Sequence, residues 1–183
     1  MSLHPSTIRT KRLVIKPFTE ANLSHRYVAW LNDYERMRYS EQRHKRHTSE
    51  SCRQYFNSFQ NSVNKFWAIE TIDDGLGHIG NITAHIDSNN NIADIGILIG
   101  EKDAAGKGYG YETFQGIVHY LFNTMDIRKV TAGTVSANSA MMKIMHKMNM
   151  KEDGIRKRHY IIKGKEVDII HMALFKDEYT HGR

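Results

Sequence analysis

The residues best suited to bind an anion form a glycine-rich segment, Ala105-Gly-Lys-Gly-Tyr-Gly110. Its three glycines stand at alternate positions, and glycine lets neighbouring backbone N–H groups turn toward one concavity. The segment separates an apolar stretch that ends at Gly100 from an amphipathic stretch that begins near Tyr109. A helix N-terminus after the loop adds its dipole, so the pattern predicts a phosphate or pyrophosphate site. A glycine-rich turn without a ligand is the simpler alternative.

The glycine spacing excludes two common nucleotide-binding motifs. Five residues separate Gly100 from Gly106 where a P-loop has four, and Gly108 follows Lys107 where Ser or Thr would bind magnesium. A dinucleotide-binding fingerprint starting at Gly108 would place its third glycine at Thr113. The predicted phosphate site therefore belongs to neither motif.

Hydrophobic periodicity and turn residues divide the chain into the elements that must position this loop. The predicted strands cover residues 12–18, 65–71, 78–87, 92–100, 129–135, 154–162 and 167–175. The predicted helices cover residues 20–31, 48–62, 109–123 and 138–148, with a short helix or turn at 33–39. This order predicts an α/β (α+β) fold in one domain, residues 1–183 with a core at about 7–175. Its central sheet is mixed, mostly antiparallel and flanked by helices.

The formal net charge of +6 is concentrated in two segments. In residues 36–47 five basic residues stand against one acidic residue, and in residues 151–165 six stand against two. Such clusters can hold a polyanion, although solvated loops explain them equally well. Neither segment interleaves aromatic residues regularly, which argues against nucleic acid as a partner.

Cysteine usage and hydropathy exclude further classes. Cys52 is the single cysteine, so the chain has no internal disulfide and no thiolate cluster for zinc, and we expect no metal. No apolar run approaches the roughly 18 residues of a membrane span, and the N-terminal residues lack the apolar core of a signal peptide. We therefore expect a cytoplasmic location and no membrane partner. The oligomeric state stays open, with a homodimer as one option.

Several segments resemble the GNAT superfamily of N-acetyltransferases, over about residues 7–175. The loop from Ala105 to Glu112 is similar to the family's loop for the pyrophosphate of acetyl-CoA. Two further segments resemble a second family motif: Val135-Ser-Ala-Asn138 and Met145-His-Lys-Met-Asn-Met150. Two others resemble the branch of the ribosomal-protein N-terminal acetyltransferases: Arg12-Leu13 and Ile79-Gly80-Asn81. Finally, Trp30-Leu-Asn-Asp33 resembles amino-sugar acetyltransferases within that branch.

The resemblance implies a sheet splayed at the cofactor site and acetyl-CoA as co-substrate. It implies pantetheine contacts from Ile97, Leu98 and Ile99. The pyrophosphate contacts it implies come from Gly106, Lys107, Gly108, Tyr109, Gly110 and Tyr111. Asn138 would contact the cofactor arm near the thioester.

The sequence departs from the family pattern at three places. Ala105 replaces the usual Gln or Arg that opens the loop, and Asn149-Met150 replaces a Gly-Phe pair. The tyrosine that many members use to protonate the leaving thiolate falls on Met145, which has no proton to donate. Ala105 and Met145 motivate an alternative function, a non-catalytic CoA-binding or regulatory module of the same fold.

Acetyl transfer to an alkyl amine needs a proton acceptor, because the amine is largely protonated at neutral pH. Asp94, the carboxylate within the apolar strand 92–100, is our candidate base, and a structural aspartate at a hairpin end is the alternative. His85 is a second acid/base candidate because histidine titrates near neutrality. Ser139 could pass a proton to the thiolate, and a helix N-cap explains that serine equally well.

The acceptor that the sequence slightly favours is an amino-sugar nucleotide. The resemblance of Trp30-Leu-Asn-Asp33 points to amino sugars, and the cationic residues 36–47 could hold a diphosphate. A protein N-terminus is the second option. A polyamine fits less well beside basic segments, because like charges repel.

Overall fold

A computed structural model describes residues 5–179, and its centre is an eight-stranded sheet. The strands are β1 (Ile8–Arg9), β2 (Leu13–Pro17), β3 (Lys65–Thr71), β4 (His78–Asp87), β5 (Ile92–Ile99), β6 (Lys129–Val135), β7 (Lys151–Ile162) and β8 (Lys165–Phe175). Across the sheet they follow the order β1-β2-β3-β4-β5-β6-β8-β7. The sheet is mixed, as predicted: β5 and β6 pair in parallel, and every other neighbouring pair is antiparallel.

Five helices flank the sheet: α1 (His25–Asn32), α2 (Tyr34–Met37), α3 (Ser49–Asn57), α4 (Tyr109–Asn123) and α5 (Ser139–Lys147). The helix predicted from residue 20 is interrupted. Thr19 opens only a short 3-10 turn, Glu20–Asn22, and Leu23 then leaves helical geometry. Ser24 accepts from the N–H of Tyr27 and starts α1 instead, so this second capping residue begins the α-helix.

Each sheet face has its own apolar core. On one face α4 and α5 cover the sheet, and Phe114, Ile117, Leu121 and Met145 are fully buried there. On the other face α1 and α3 contribute Trp30, Cys52 and Phe56 to a mainly aromatic cluster. Met145, Met148 and Met150 are buried in the core beside α5, and Cys52 lies on the buried face of α3.

The largest differences from the predicted elements lie at chain segments without strong periodicity. β1, which the sequence does not signal, is only two residues long. α3 ends at Asn57 rather than near Ser62, and β7 and β8 each begin earlier than predicted. Within residues 5–179, no helix is long and apolar enough to span a membrane.

Candidate active site

The two parallel strands at the centre of the sheet separate part-way along their length. β5 and β6 pair from Ile92 and Lys129 as far as Asp94 and Thr131, and no pairing between them continues in the described chain. β5 nevertheless runs on to Ile99 and β6 to Val135. A fork therefore opens between the strands, with Asp94 and Thr131 at its base.

One edge of β5 faces this fork with free backbone groups. Gly100 donates its N–H to Ile79 of β4 at 2.9 Å, and hydrogen-bonding residues alternate along an antiparallel ladder. Leu98 therefore directs its N–H and C=O toward β4, whereas Ile97 and Ile99 direct theirs toward the fork. The backbone groups of Ile97 and Ile99 can thus hydrogen-bond an extended ligand that contains amide groups, as they would bond a neighbouring strand.

The glycine loop lies where β5 passes into α4. Gly106 and Gly108 both have positive φ, at +74° and +81°, a region that residues with a β-carbon rarely adopt. Gly108 is the N-cap of α4 but offers no side chain, so the first turn of the helix has no side-chain cap. In the described chain, no backbone carbonyl accepts from the N–H groups of residues 106 and 108–111. These donors and the helix dipole suit an anion such as pyrophosphate.

Side chains from distant elements hold the loop. Tyr109 donates its hydroxyl to Asp74 of the β3–β4 turn at 2.6 Å, and Lys107 lies 3.8 Å from the same carboxylate. Hydrogen bonds from Thr71 and Tyr109 lower the pKa of Asp74 to about 2, and the same bond raises the pKa of Tyr109. Asp74 therefore stays ionised at any physiological pH.

The segment between β5 and the glycine loop packs against α1. A β-carbon at Gly100 would lie 2.1 Å from the Trp30 ring, so only glycine permits this contact. Arg26 donates to Glu101 at 2.8 Å through Nε and to the carbonyl of Leu76 at 3.2 Å. The residues that carry the amino-sugar resemblance also support structure, since Asn32 bonds the backbone of His47 and Asp33 caps α2.

A forked sheet that leads into a glycine loop agrees with comparisons to known proteins. The family model described as "Acetyltransferase (GNAT) domain" matches residues 12–151. The chain belongs to this family. Acetyl-CoA is accordingly its co-substrate, and the free amides of the loop and of β5 suit the pyrophosphate and the pantetheine of that molecule.

Individual relatives are similar over almost the full length of this acetyltransferase. "Uncharacterized N-acetyltransferase p20" of Bacillus licheniformis is 24% identical over 172 residues, which cover 93% of this chain and 82% of the relative. The fold matches spermidine N-acetyltransferase from Vibrio cholerae, solved with CoA and spermine, at a TM-score of 0.81 and 16% identity, covering 93% of this chain and 99% of that one. The fold also matches RimL, a ribosomal L7/L12 α-N-protein acetyltransferase solved with CoA, at a TM-score of 0.80 and 15% identity. This match covers 94% of this chain and 99% of RimL.

Asp94 and His85 lie together on the sheet face that α1 and α3 cover. They are directly paired across β5 and β4, so their side chains share that face. Asp94 is exposed and accepts a 2.6 Å hydrogen bond from the Thr131 hydroxyl. The ring of His85 lies 5.6 Å from that of Phe59. Asp94 thus faces the base of the fork, whereas His85 is one strand further away.

Asn138, and not Ser139, caps α5. The Asn138 side chain accepts from the N–H of Met141 at 3.3 Å and donates to the Thr134 hydroxyl at 3.0 Å. Ser139 is the first residue of the helix and is exposed. The capping explanation therefore applies to the asparagine. Met145 is fully buried, so it supplies no polar group to the fork.

Three residues that border the site make contacts that local sequence patterns do not reveal. Thr131 holds Asp94, and the guanidinium of Arg12 contacts the glycine loop, although 95 residues separate Arg12 from Lys107. His171 of β8 pairs with Gly133 of β6, and its Nε2 is buried without a hydrogen-bond partner among the described residues. All three reach the site through strand pairing or long side chains, which local patterns do not encode.

Six of the eleven basic residues in the two cationic segments form ion pairs with carboxylates. In residues 36–47 the ion pairs are Arg36–Asp33, Arg38–Glu35 and Arg43–Glu41. In residues 151–165 they are Lys157–Asp168, Arg158–Glu166 and Lys163–Glu35. The Lys163–Glu35 pair joins the two segments, so the β7–β8 turn rests on α2. The other five pairs lie within one region each.

A separate concavity of about 570 Å³ lies between α3 and β2 and is lined partly by Phe18, Phe56 and Phe59. None of its lining residues belongs to β5, β6 or the glycine loop. Among the described residues, no cluster of three His, Cys, Asp or Glu side chains could hold a metal ion.

Proposed function

We propose that this acetyltransferase acetylates a primary amine that approaches the fork from the α1/α3 face, with Asp94 as the proton acceptor. The observation that carries the proposal is the end of the β5–β6 pairing at Asp94 and Thr131. Beyond this pair, the free edge of β5 leads to the glycine loop. At the pair itself, the Asp94 carboxylate lies at the base of the fork. Acetyl-CoA supplies the acetyl group as an activated thioester.

The chain's own groups divide the work of the reaction. The N–H and C=O groups of Ile97 and Ile99 hold the pantetheine arm along β5, and one of these N–H groups can polarise the acetyl carbonyl. Leu98 bonds into β4 through its backbone, so its contribution is its side chain. Residues 106 and 108–111 hold the pyrophosphate through their free backbone N–H groups, whereas the N–H of Lys107 donates to the Ala104 carbonyl.

Asp94 takes a proton from the ammonium form of the acceptor, directly or through water. The hydrogen bond from Thr131 fixes one carboxylate oxygen and so orients the other. His85, paired with Asp94 across the strands, is the alternative base. Ser139 is an exposed hydroxyl at the start of α5 and is the candidate proton relay to the thiolate, since Met145 has no proton to give.

For the acceptor we propose an amino-sugar nucleotide ahead of a protein N-terminus. The resemblance of Trp30-Leu-Asn-Asp33 supports the first, and Lys45 and Arg46 are exposed cations near this motif that a diphosphate could contact. The ion pairs of Arg36, Arg38 and Arg43 leave fewer cations for that role than the sequence alone suggests. The structural likeness to RimL keeps the protein N-terminus as the second acceptor to test.

The decisive experiment is a free-thiol release assay with acetyl-CoA across an amine panel. The panel contains UDP- and dTDP-linked amino sugars, peptides with free N-termini, and spermidine as a control amine. We expect thiol release above the hydrolysis background with an amino-sugar nucleotide. Thiol release with the peptides alone would show that the acceptor is a protein N-terminus and not an amino-sugar nucleotide. The proposed acetyl transfer would still stand.

The same assay tests the alternative of a non-catalytic CoA-binding module. Such a module would bind acetyl-CoA in isothermal titration and release no thiol with any amine in the panel. An absence of acetyl-CoA binding at millimolar concentration would instead refute the proposed cofactor site itself.

A further inference from the structure

Arg12, which immediately precedes β2, lies against the glycine loop and the first turn of α4 with four atoms of its guanidinium group. Nη1 donates to the Lys107 carbonyl at 2.9 Å, and Nε donates to Glu112 of α4 at 2.7 Å. The guanidinium carbon lies 4.6 Å from the centre of the Tyr109 ring. Nη2 lies 3.6 Å from the position that a β-carbon of Gly108 would take. One side chain thus contacts four residues of the loop and of the first turn of α4.

The bond to Lys107 fixes the direction of a backbone donor. A trans peptide is planar, so the C=O of Lys107 and the N–H of Gly108 point in opposite directions. Because Arg12 holds this carbonyl on the β2 side, the Gly108 N–H points away from Arg12. Gly108 has a φ of +81°. Glycine by itself does not hold this conformation, because many other backbone conformations are open to it.

Glu112 in turn fixes Arg12. Its carboxylate also accepts from the Thr10 hydroxyl at 2.6 Å and from the backbone N–H of Arg12 at 2.8 Å. Burial raises the pKa of Glu112, but the hydrogen bonds from Thr10 and Arg12 outweigh burial and hold that pKa below its ordinary value. The ionised carboxylate therefore keeps the guanidinium in one orientation. The guanidinium is planar and rigid, so its bond to Glu112 also directs its bond to the Lys107 carbonyl.

We propose that Arg12 is a positioning residue that presets the glycine loop for the pyrophosphate of acetyl-CoA. The loop opens with Ala105, so it lacks a long side chain of its own at that position, and β2 supplies a guanidinium from outside the loop. Arg12 acts by restricting the loop before binding, which lowers the entropy cost of ordering it around the ligand. The inference rests on the proposed assignment of residues 106–111 to the pyrophosphate.

A truncated donor separates this role from a general effect on folding. Acetyl-pantetheine carries the thioester and the arm that binds β5 but has no pyrophosphate. Arg12→Lys is the informative variant: it keeps a positive charge near Glu112 and Tyr109 but loses the planar fork that bonds Glu112 and Lys107 together. Arg12→Gln removes the charge as well. Thermal melting of each variant reports whether the fold is retained.

We expect both variants to raise the KM for acetyl-CoA about tenfold, the effect of losing one charge-assisted hydrogen bond. We expect the KM for acetyl-pantetheine and the kcat with either donor to stay within about twofold of wild type. Equal losses with both donors, or no loss with acetyl-CoA, would overturn the positioning role. If the wild type itself shows the same KM for both donors, residues 106–111 do not hold the pyrophosphate and the site assignment fails with the inference.

Exposed Lys102 provides a matched control from the adjoining 3-10 turn. It is a cation close to the loop in sequence, so Lys102→Gln changes the local charge by the same amount as Arg12→Gln. We expect this variant to bind both donors like wild type. A rise in the acetyl-CoA KM equal to that of Arg12→Gln would show that overall charge, and not the fixed loop, sets the affinity.

Discussion

Thr131 donates a 2.6 Å hydrogen bond to Asp94 at the last residue pair that joins β5 to β6. The carboxylate is therefore held at the base of the fork, on the face opposite α4 and α5. The proposed base is thus held by the same two strands that form the fork, and its position does not depend on a loop.

Removing the charge of Asp94 tests its role directly. We expect Asp94→Asn to lower kcat/KM for the acceptor by about 10²–10⁴-fold, the usual contribution of a general base, while acetyl-CoA binding stays unchanged. Asp87→Asn, at the exposed end of β4, is the control carboxylate. Steady-state kinetics and isothermal titration measure both quantities. A fully active Asp94→Asn enzyme would refute the assignment.

His85→Gln distinguishes the two candidate bases. Because Asp94 is nearer the fork, we expect this substitution to change kcat/KM by less than about tenfold and to leave the shape of the pH–rate profile unchanged. The profile is recorded for wild type, His85→Gln and Asp94→Asn with one acceptor. Loss of the acidic limb in His85→Gln alone would assign proton acceptance to the histidine, because a base is inactive once it is protonated at low pH.

Substitutions at Asn138 and Ser139 should affect different properties, the first the stability of the protein and the second its catalytic rate. Asn138→Ala removes the cap of α5 and the bond to Thr134, so we expect it to lower the free energy of unfolding by about 1 kcal/mol. Ser139→Ala removes no cap, and we expect unchanged stability with a reduced kcat. Urea denaturation and steady-state kinetics on the two variants check this. An unchanged kcat in Ser139→Ala would exclude the serine as a proton relay.

The sequence predicted the central elements well because their signals are local. The bounds of β3, β4, α4 and β6 agree with the structure, since alternation and flanking turn residues define each of them within a few positions. The glycine loop was found for the same reason. The contacts of Arg12 and Thr131 could not be predicted, because each depends on which strands become neighbours.

The charge clusters show a different limit of sequence reasoning. Counting residues 36–47 gives an excess of cations, but the count does not reveal that Glu35 pairs with Lys163 from the β7–β8 turn, 128 residues away. This one pair makes part of an apparent anion site a contact between distant segments. The proposed contact with a diphosphate therefore rests on the exposed cations Lys45 and Arg46 and not on the whole cluster.

Arg43 is the member of this cluster with the clearest structural role. Its side chain is 3% exposed, and it donates to Glu41 at 2.7 Å and to the Ser40 carbonyl at 2.9 Å. We expect Arg43→Ala to lower the free energy of unfolding by about 1–3 kcal/mol, because it leaves those acceptors without their charged donor. Exposed Arg46→Ala is the control and should change stability by less than about 0.5 kcal/mol. Equal stability of the two variants in urea would contradict the buried role.

The pH dependence of stability should reveal Asp74. Its folded-state pKa of about 2 lies below the ordinary value near 4, so its contribution is fully present above about pH 4 and is lost as the pH falls toward 2. We expect wild type to exceed Asp74→Asn in stability at pH 6 and the difference to shrink between pH 4 and pH 2, where protonated aspartate resembles asparagine. Urea denaturation at several pH values measures this difference. A difference that stays constant down to pH 2 would mean that ionisation of Asp74 does not hold Tyr109 and the loop.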